Sequence, residues 1–323
     1  MKQALRLLGI AIAIAAGVYF VRHAIGAFGA LQASSLSPGR LLGALVVMLP
    51  AYLVAVPLAS VMWGALLRAM GVLLPPARAY AIVAVTQFAK YLPGNVAHHV
   101  GRVVVARPFG GDVARLSLSL VYENLLTALA AAHLTALLVV LRPVPALEPY
   151  LPTAWRPWLL LAITLGAAAG FLMLGLLVAK VQQWRGAPEG PKAAVRPPGP
   201  ATLLGAYAVA VTSFLVVGLG FTAMAPVVSP GVGFPYLSLC GAFAAAWVIG
   251  LLVPGAPAGL GIREGVLLVL LGETMATGDA VMVIAILRVA TTLGDLIHFL
   301  AGSAMMRRGR GPGSGRDGPL PLR

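Results

Sequence analysis

Apolar residues run along this chain in long blocks, broken at intervals by proline, glycine and short basic clusters. Residues 41–67 and 157–179 contain no charged side chain, and 197–262 is an uncharged stretch long enough for two passes of a bilayer. A helix needs about 20 mostly apolar residues to cross the hydrocarbon, so each block is a candidate span. The blocks predict helices over 5–27, 41–67, 115–141, 157–180, 202–224, 236–254 and 279–305. Strict apolar-polar alternation, the mark of a lipid-facing barrel strand, is missing. Because lipid leaves helices or closed barrels as the only spanning structures, the expected fold is an all-α, polytopic transmembrane helix bundle of about 7 to 8 spans.

Composition points the same way. Hydrophobic residues make up 60% of the chain and charged residues 10%, against about 25% charged in a soluble domain. The net charge of +14 does not argue for nucleic acid, because Lys and Arg sit between the apolar blocks and on the tail, as membrane topology requires. Lys2 and Arg6 precede an apolar stretch without a convincing small-residue cleavage site, so a retained first helix is expected. The one cysteine, Cys240, lies inside a predicted span and reads as a small buried residue.

The organisation expected is one membrane domain over 1–306, in halves of about 1–180 and 201–306 joined by a basic, Pro-rich loop at 181–200, with a disordered basic tail at 307–323. A cytoplasmic N-terminus puts Arg68, Arg78, Arg102, Arg107, Arg115, Lys180, Arg185, Lys192 and Arg196 on the cytoplasmic side, provided that the segment 79–107 enters the membrane and returns. Arg307, Arg308 and Arg310 assign the tail to the same side. Parity then asks the segment 253–273 to cross, although the eleven residues after Ile262 are short for a crossing.

Those two segments differ from the other blocks. One reads FAKYLPGNVAHHVGRVVVAR from Phe88, the other IGLLVPGAPAGLGIREGVLLVLL from Ile249. In each, a Pro-Gly pair is followed by an Arg nine positions after the Pro: Pro93-Gly94 with Arg102, and Pro254-Gly255 with Arg263. Proline donates no backbone hydrogen bond, and Gly259 and Gly261 permit left-handed turns, so both segments are expected to break into half-helices. Within a membrane such breaks survive where they line a cavity or are buried in protein. A half-helix N-terminus beside a guanidinium suits a phosphate. Paired broken helices also mark the substrate site in many transporters.

With these residues in view, the chain resembles the lysylphosphatidylglycerol synthase transmembrane region, a flippase-like family. The resemblance rests on Tyr91-Leu-Pro-Gly94 followed by Gly101-Arg102, on Val121-Tyr-Glu-Asn-Leu-Leu126, and above all on Pro254-Gly-Ala-Pro-Ala-Gly-Leu-Gly-Ile-Arg-Glu-Gly265 followed by an apolar helix and Arg288. Members often have Pro-Gly-Gly where this chain has Pro254-Gly255-Ala256-Pro257. The full synthases carry a soluble domain that attaches lysine to the lipid. The resemblance therefore implies the lipid-translocating half of that activity, in a bacterial inner membrane.

Charged residues inside spans need a partner or an aqueous cavity. Glu123, Arg263, Glu264, Arg288 and Asp295 are the set to explain, with Glu123 and Asp295 as candidate partners of the arginines. Lys90 is either an interface anchor or a headgroup contact. His98 and His99 are adjacent, point about 100° apart on a helix, and have no third ligand at suitable spacing, so no metal or other cofactor is expected. Three function classes stay open. A lipid translocator would bind a phospholipid or isoprenoid-phosphate headgroup through Lys90, Pro93, Gly94, Arg102, Glu123, Pro254, Gly255, Gly259, Gly261, Arg263, Glu264, Arg288 and Asp295. A membrane-embedded transferase would act on a lipid-phosphate donor. An accessory subunit would serve a partner lipid synthetase or glycosyltransferase. The chain contains no GxxxxGK[ST] loop, so ATP is not a direct energy source.

Overall fold

A computed structural model describes residues 37–91, 96–141, 151–184, 195–233, 235–252, 259 and 261–308. The first predicted helix at 5–27, Pro93, Gly94, Pro254, Gly255, residues 185–194 of the basic loop and the tail from 309 lie outside the described residues. Among the described residues there are nine α-helices and no strand: α1 (Pro38–Ala69), α2 (Pro76–Gln87), α3 (Ala97–Ala106), α4 (Val113–Leu141), α5 (Arg156–Trp184), α6 (Pro200–Val228), α7 (Tyr236–Leu252), α8 (Ile262–Gly272) and α9 (Thr277–Arg308).

Five of these elements are long and apolar enough to cross a membrane: α1, α4, α5 with the short turn before it, α6 and α9. Each was legible as an uncharged or nearly uncharged block, and the structure extends each expected helix by a few residues at one or both ends. The extensions follow capping chemistry. Ser37 accepts a hydrogen bond from the Arg40 amide at 3.4 Å, and Pro38 and Pro200 stand at the first helical positions of α1 and α6, where a missing N–H costs nothing.

The helices pack around two long seams. One is α1 against α6, close enough that a methyl group on Gly220 would fall 2.5 Å from the Ala51 Cβ. The other is α9 against α2, where Gly302 faces Ala84 and the Ala81 carbonyl. Small residues at such crossings let backbones approach where no hydrophobic drive separates protein from lipid tails. Helices from before and after the 181–200 stretch therefore interleave. Helix α5 lies at the periphery against α4, and apart from Arg156 none of its residues is fully buried, as expected of a helix mostly bathed in acyl chains.

The two interrupted segments do not form ordinary spans. Helices α2 and α3 have 12 and 10 residues, only about 18 and 15 Å of helix at 1.5 Å per residue, against hydrocarbon about 30 Å thick. They pack on each other through Gly101 and Thr86, which gives a short helical hairpin. Helix α8, with 11 residues, lies beside α7 and brings Arg263 against Gly250.

Candidate functional site

A cavity of about 230 Å³ opens where these short helices meet the long ones. Its walls include Tyr52 of α1, Thr127 of α4, Phe214 of α6 and Thr291 of α9. Each sits within two residues of the midpoint of its 29- or 32-residue helix. The cavity therefore lies near half the depth of the bundle. Phe214, Val217, Phe243, Trp247 and Leu251 are among its apolar lining residues. Its ionisable lining residues are Lys90, His98, His99, Arg102, Glu123, Arg263 and Arg288.

Three of the four cations are tied to carboxylates. Arg102, buried on the second turn of α3, donates from Nη1 to both oxygens of Glu123 on α4 at 2.6 and 2.8 Å, and its guanidinium also lies 5.7 Å from the Trp63 ring. Arg288 of α9 donates from Nε to Glu264 Oε1, while Glu264 Oε2 accepts the Gly261 amide at 2.7 Å and so caps the first turn of α8. That turn needs Gly261, whose φ of 84° few other residues adopt. Lys90 reaches Asp295 Oδ2 at 2.7 Å.

Asp295 is wholly buried and bears more than one partner. Tyr52 donates to its Oδ1 at 2.8 Å and Tyr91 to its Oδ2 at 2.6 Å, and Lys90 also donates to the Tyr52 hydroxyl at 3.0 Å. This cluster joins α1, α9 and the 3₁₀ turn Phe88–Tyr91 that ends the first arm of the short hairpin. A charge removed from water requires such compensation, and Asp295 has it from one ammonium and two phenols.

Arg263 is the exception. Among the described residues no carboxylate or hydrogen-bond acceptor pairs with its guanidinium, and its Nε is buried without a partner. Its side chain runs through a slot made by two glycines. A methyl group on Gly250 would lie 2.6 Å from Arg263 Cγ, and one on Gly259 2.6 Å from its Nε. The guanidinium then comes to rest 5.7 Å from the Trp247 ring centre, a favourable cation-π distance, at the cavity wall.

The structure brings Lys90, Arg102, Glu123, Arg263 and Arg288 to the wall of one cavity, with Asp295 and Glu264 bonded to them. It pairs them differently from the simplest sequence expectation. Asp295 shares a helix with Arg288 but serves Lys90, and the partner of Arg288 is Glu264. The matched spacing of Arg102 and Arg263 after their prolines does not make them equivalent. Arg102 is the sixth residue of α3 and ion-paired, whereas Arg263 is the second of α8 and has no acidic partner among the described residues. Sequence reasoning missed Gly250, Trp247, Tyr52 and Gln87. Only their positions within apolar blocks were visible, and nothing in the spacing joins residues so distant along the chain.

Fold and cavity together define a multi-pass helical membrane protein with a cation-walled hollow inside its bundle. The family model for the lysylphosphatidylglycerol synthase transmembrane region matches residues 6–298, and the chain belongs to that family. Membership associates it with membrane lipids. No curated protein matches the chain.

Proposed function

We propose that this protein is a flippase-like lipid translocator that takes a phosphate-bearing headgroup, of a phospholipid or an isoprenoid-phosphate lipid, into the central cavity while the acyl or prenyl chains remain in lipid. The observation that carries the reading is Arg263, a guanidinium with no acidic partner among the described residues, held at a cavity wall near mid-depth of the bundle. An isolated charge there is costly in an apo protein, and one anionic ligand oxygen relieves that cost. The planar fork of Arg suits phosphate, and the first turn of α8 adds its partial positive charge.

Arg102, Arg288 and Lys90 flank the anion and keep the wall positive, each steadied by its own carboxylate. Phe214, Phe243, Trp247 and Leu251 offer apolar lining on which the glycerol backbone or first methylenes can rest. Desolvation of the headgroup is the main barrier to unassisted flipping, and this lining replaces part of the lost hydration. Glu123, the carboxylate in the cavity wall, is buried and engaged through both oxygens by Arg102, an arrangement that steadies a guanidinium rather than freeing a general base. We place the protein in the cell membrane with both termini cytoplasmic, in keeping with its basic flanks.

The test is reconstitution of the full chain in liposomes that carry a tail-labelled phospholipid or isoprenoid phosphate in one leaflet. Protein-dependent leaflet exchange is expected for at least one of the two lipid classes. Exchange at the rate of protein-free vesicles for both classes would remove the transport reading.

A further inference from the structure

Asp295 has no exposure to solvent and is not among the residues that line the cavity. It is joined to the cavity by Lys90, which does line it and whose ammonium lies 2.7 Å from Asp295 Oδ2. Among the described residues Lys90 is the only cation paired with this carboxylate. A lysine carries its charge on a flexible four-carbon stem, so Lys90 can turn from Asp295 to an anion in the cavity. The positive charges of Arg263 and Arg288, on the same wall, already act on it.

Once Lys90 turns away, a carboxylate without access to water keeps two phenols and loses its cation, a state that a protein interior strongly opposes. One proton removes the charge. The surrounding bonds accommodate it. Oδ2, vacated by Lys90, takes the proton and donates to the Tyr91 oxygen, while Tyr91 turns its own O–H towards Thr292 Oγ1 at 3.4 Å. Tyr52 goes on donating to Oδ1.

A way in for the proton is also present. His298 lies three residues beyond Asp295 on α9, on the same face and within the field of that carboxylate, and its Nδ1 shares a hydrogen bond of 2.8 Å with the Tyr80 hydroxyl. Phe88 meets Phe299 and Ala84 meets Gly302, so α2 runs antiparallel to this part of α9, and the half-buried Tyr80 enters from the end that carries Arg307 and Arg308. Carboxylate, imidazole and phenol in series form a proton relay of the kind that membrane transporters use.

The other elements packed on α9 bring no competing acid to Asp295. Helix α1 presents Tyr52, and the 3₁₀ turn presents Lys90 and Tyr91. On α2, Arg78 lies over the Phe109 ring and Tyr80 is bonded to His298. On α8, Glu264 is bonded to Arg288, and Arg263 acts on Tyr52 and Lys90. Tyr207, the titratable side chain of α6, is bonded to His133.

We infer that Asp295 is a proton site coupled to the cavity by Lys90: an anion that draws the Lys90 ammonium away admits one proton to Asp295, and anion and proton cross the membrane together. This rests on the transport reading above and holds for either lipid class named there. Coupling is reciprocal, so the proton on Asp295 in turn frees Lys90 for the anion.

The experiment places the full chain in phosphatidylcholine vesicles that carry trace tail-labelled phosphatidylglycerol or isoprenoid phosphate, in sodium-free medium. The outside is held about one pH unit below the inside, with the membrane potential clamped at zero. One proton per lipid should drive label to the inner leaflet until the two leaflets differ about tenfold, and faster than in protein-free vesicles under the same gradient. Asp295→Asn binds no proton and Lys90→Gln leaves no cation to exchange, so each should lose this asymmetry. Exchange to an even distribution by the unmodified chain overturns the inference and leaves transport standing, as does full asymmetry in folded Lys90→Gln. No exchange of either lipid overturns both. If Asp295→Asn is not recovered folded, the unmodified chain and Lys90→Gln decide.

Discussion

Arg102 and Arg263 open onto the same cavity, yet Glu123 holds the first through both of its oxygens while the second has no acidic partner among the described residues. The two arginines therefore do different work. Arg102 fastens the short α3 helix to α4, and Arg263 is the one to which the proposed function assigns the ligand.

Breaking the buried Arg102–Glu123 pair should destabilise the bundle. Glu123→Ala strands a guanidinium that is 3% exposed, for which a loss of about 3–5 kcal/mol is expected. Replacing both partners by apolar residues, Arg102→Met with Glu123→Leu, should recover most of that stability. Thermal unfolding in detergent measures both, and a single mutant as stable as the double would contradict the pairing.

Asp295 should be more sensitive than its partners. Asp295→Asn removes the charge that holds Lys90 and one acceptor for two phenols at a site of 0% exposure, so it should destabilise more than Tyr91→Phe, which deletes one neutral donor. The same unfolding assay ranks them.

Gly250→Ala tests the slot without touching any charge. Its methyl group would fall 2.6 Å from Arg263 Cγ, so the guanidinium must shift, and leaflet exchange should fall severalfold while α7 gains slightly in helix propensity. Exchange unchanged in a well-folded Gly250→Ala protein would mean that the slot does not position Arg263.

The outer face of α5 should behave as lipid-facing surface. Leu172, 66% exposed on a helix with no buried residue in its apolar window, should tolerate Ala. Leu172→Arg should cost about 2.5–3.5 kcal/mol in a translocon insertion assay. Equal insertion of the two variants would argue against a lipid environment for this helix.

Much of the scaffold was legible because a membrane span announces itself by length and absence of charge. Residues 41–67, 157–180 and 202–224 could scarcely do anything but cross, and the structure finds α1, α5 and α6 there. The short helices were legible as exceptions, since Pro93 and Pro254 interrupt blocks that also carry ionisable residues. Pairing was not legible. Which carboxylate meets which cation depends on how helices separated by tens or hundreds of residues rotate against one another. Asp295 meets Lys90 from across the chain while ignoring Arg288 seven residues away on its own helix. For the same reason the spacing match between Arg102 and Arg263 identified two residues of one cavity but could not say that, among the described residues, the first meets a carboxylate and the second does not.

Arg263 offers the most direct measurement of all, because the account gives its replacement two opposite effects. Arg263→Gln deletes a half-buried charge that has no acidic partner among the described residues, so thermal stability should stay level or rise, while lipid exchange in liposomes should drop at least about tenfold, the loss of a charge-assisted phosphate contact. A stable Arg263→Gln protein that exchanges labelled lipid as fast as the unmodified chain would contradict the claim that this guanidinium receives the headgroup.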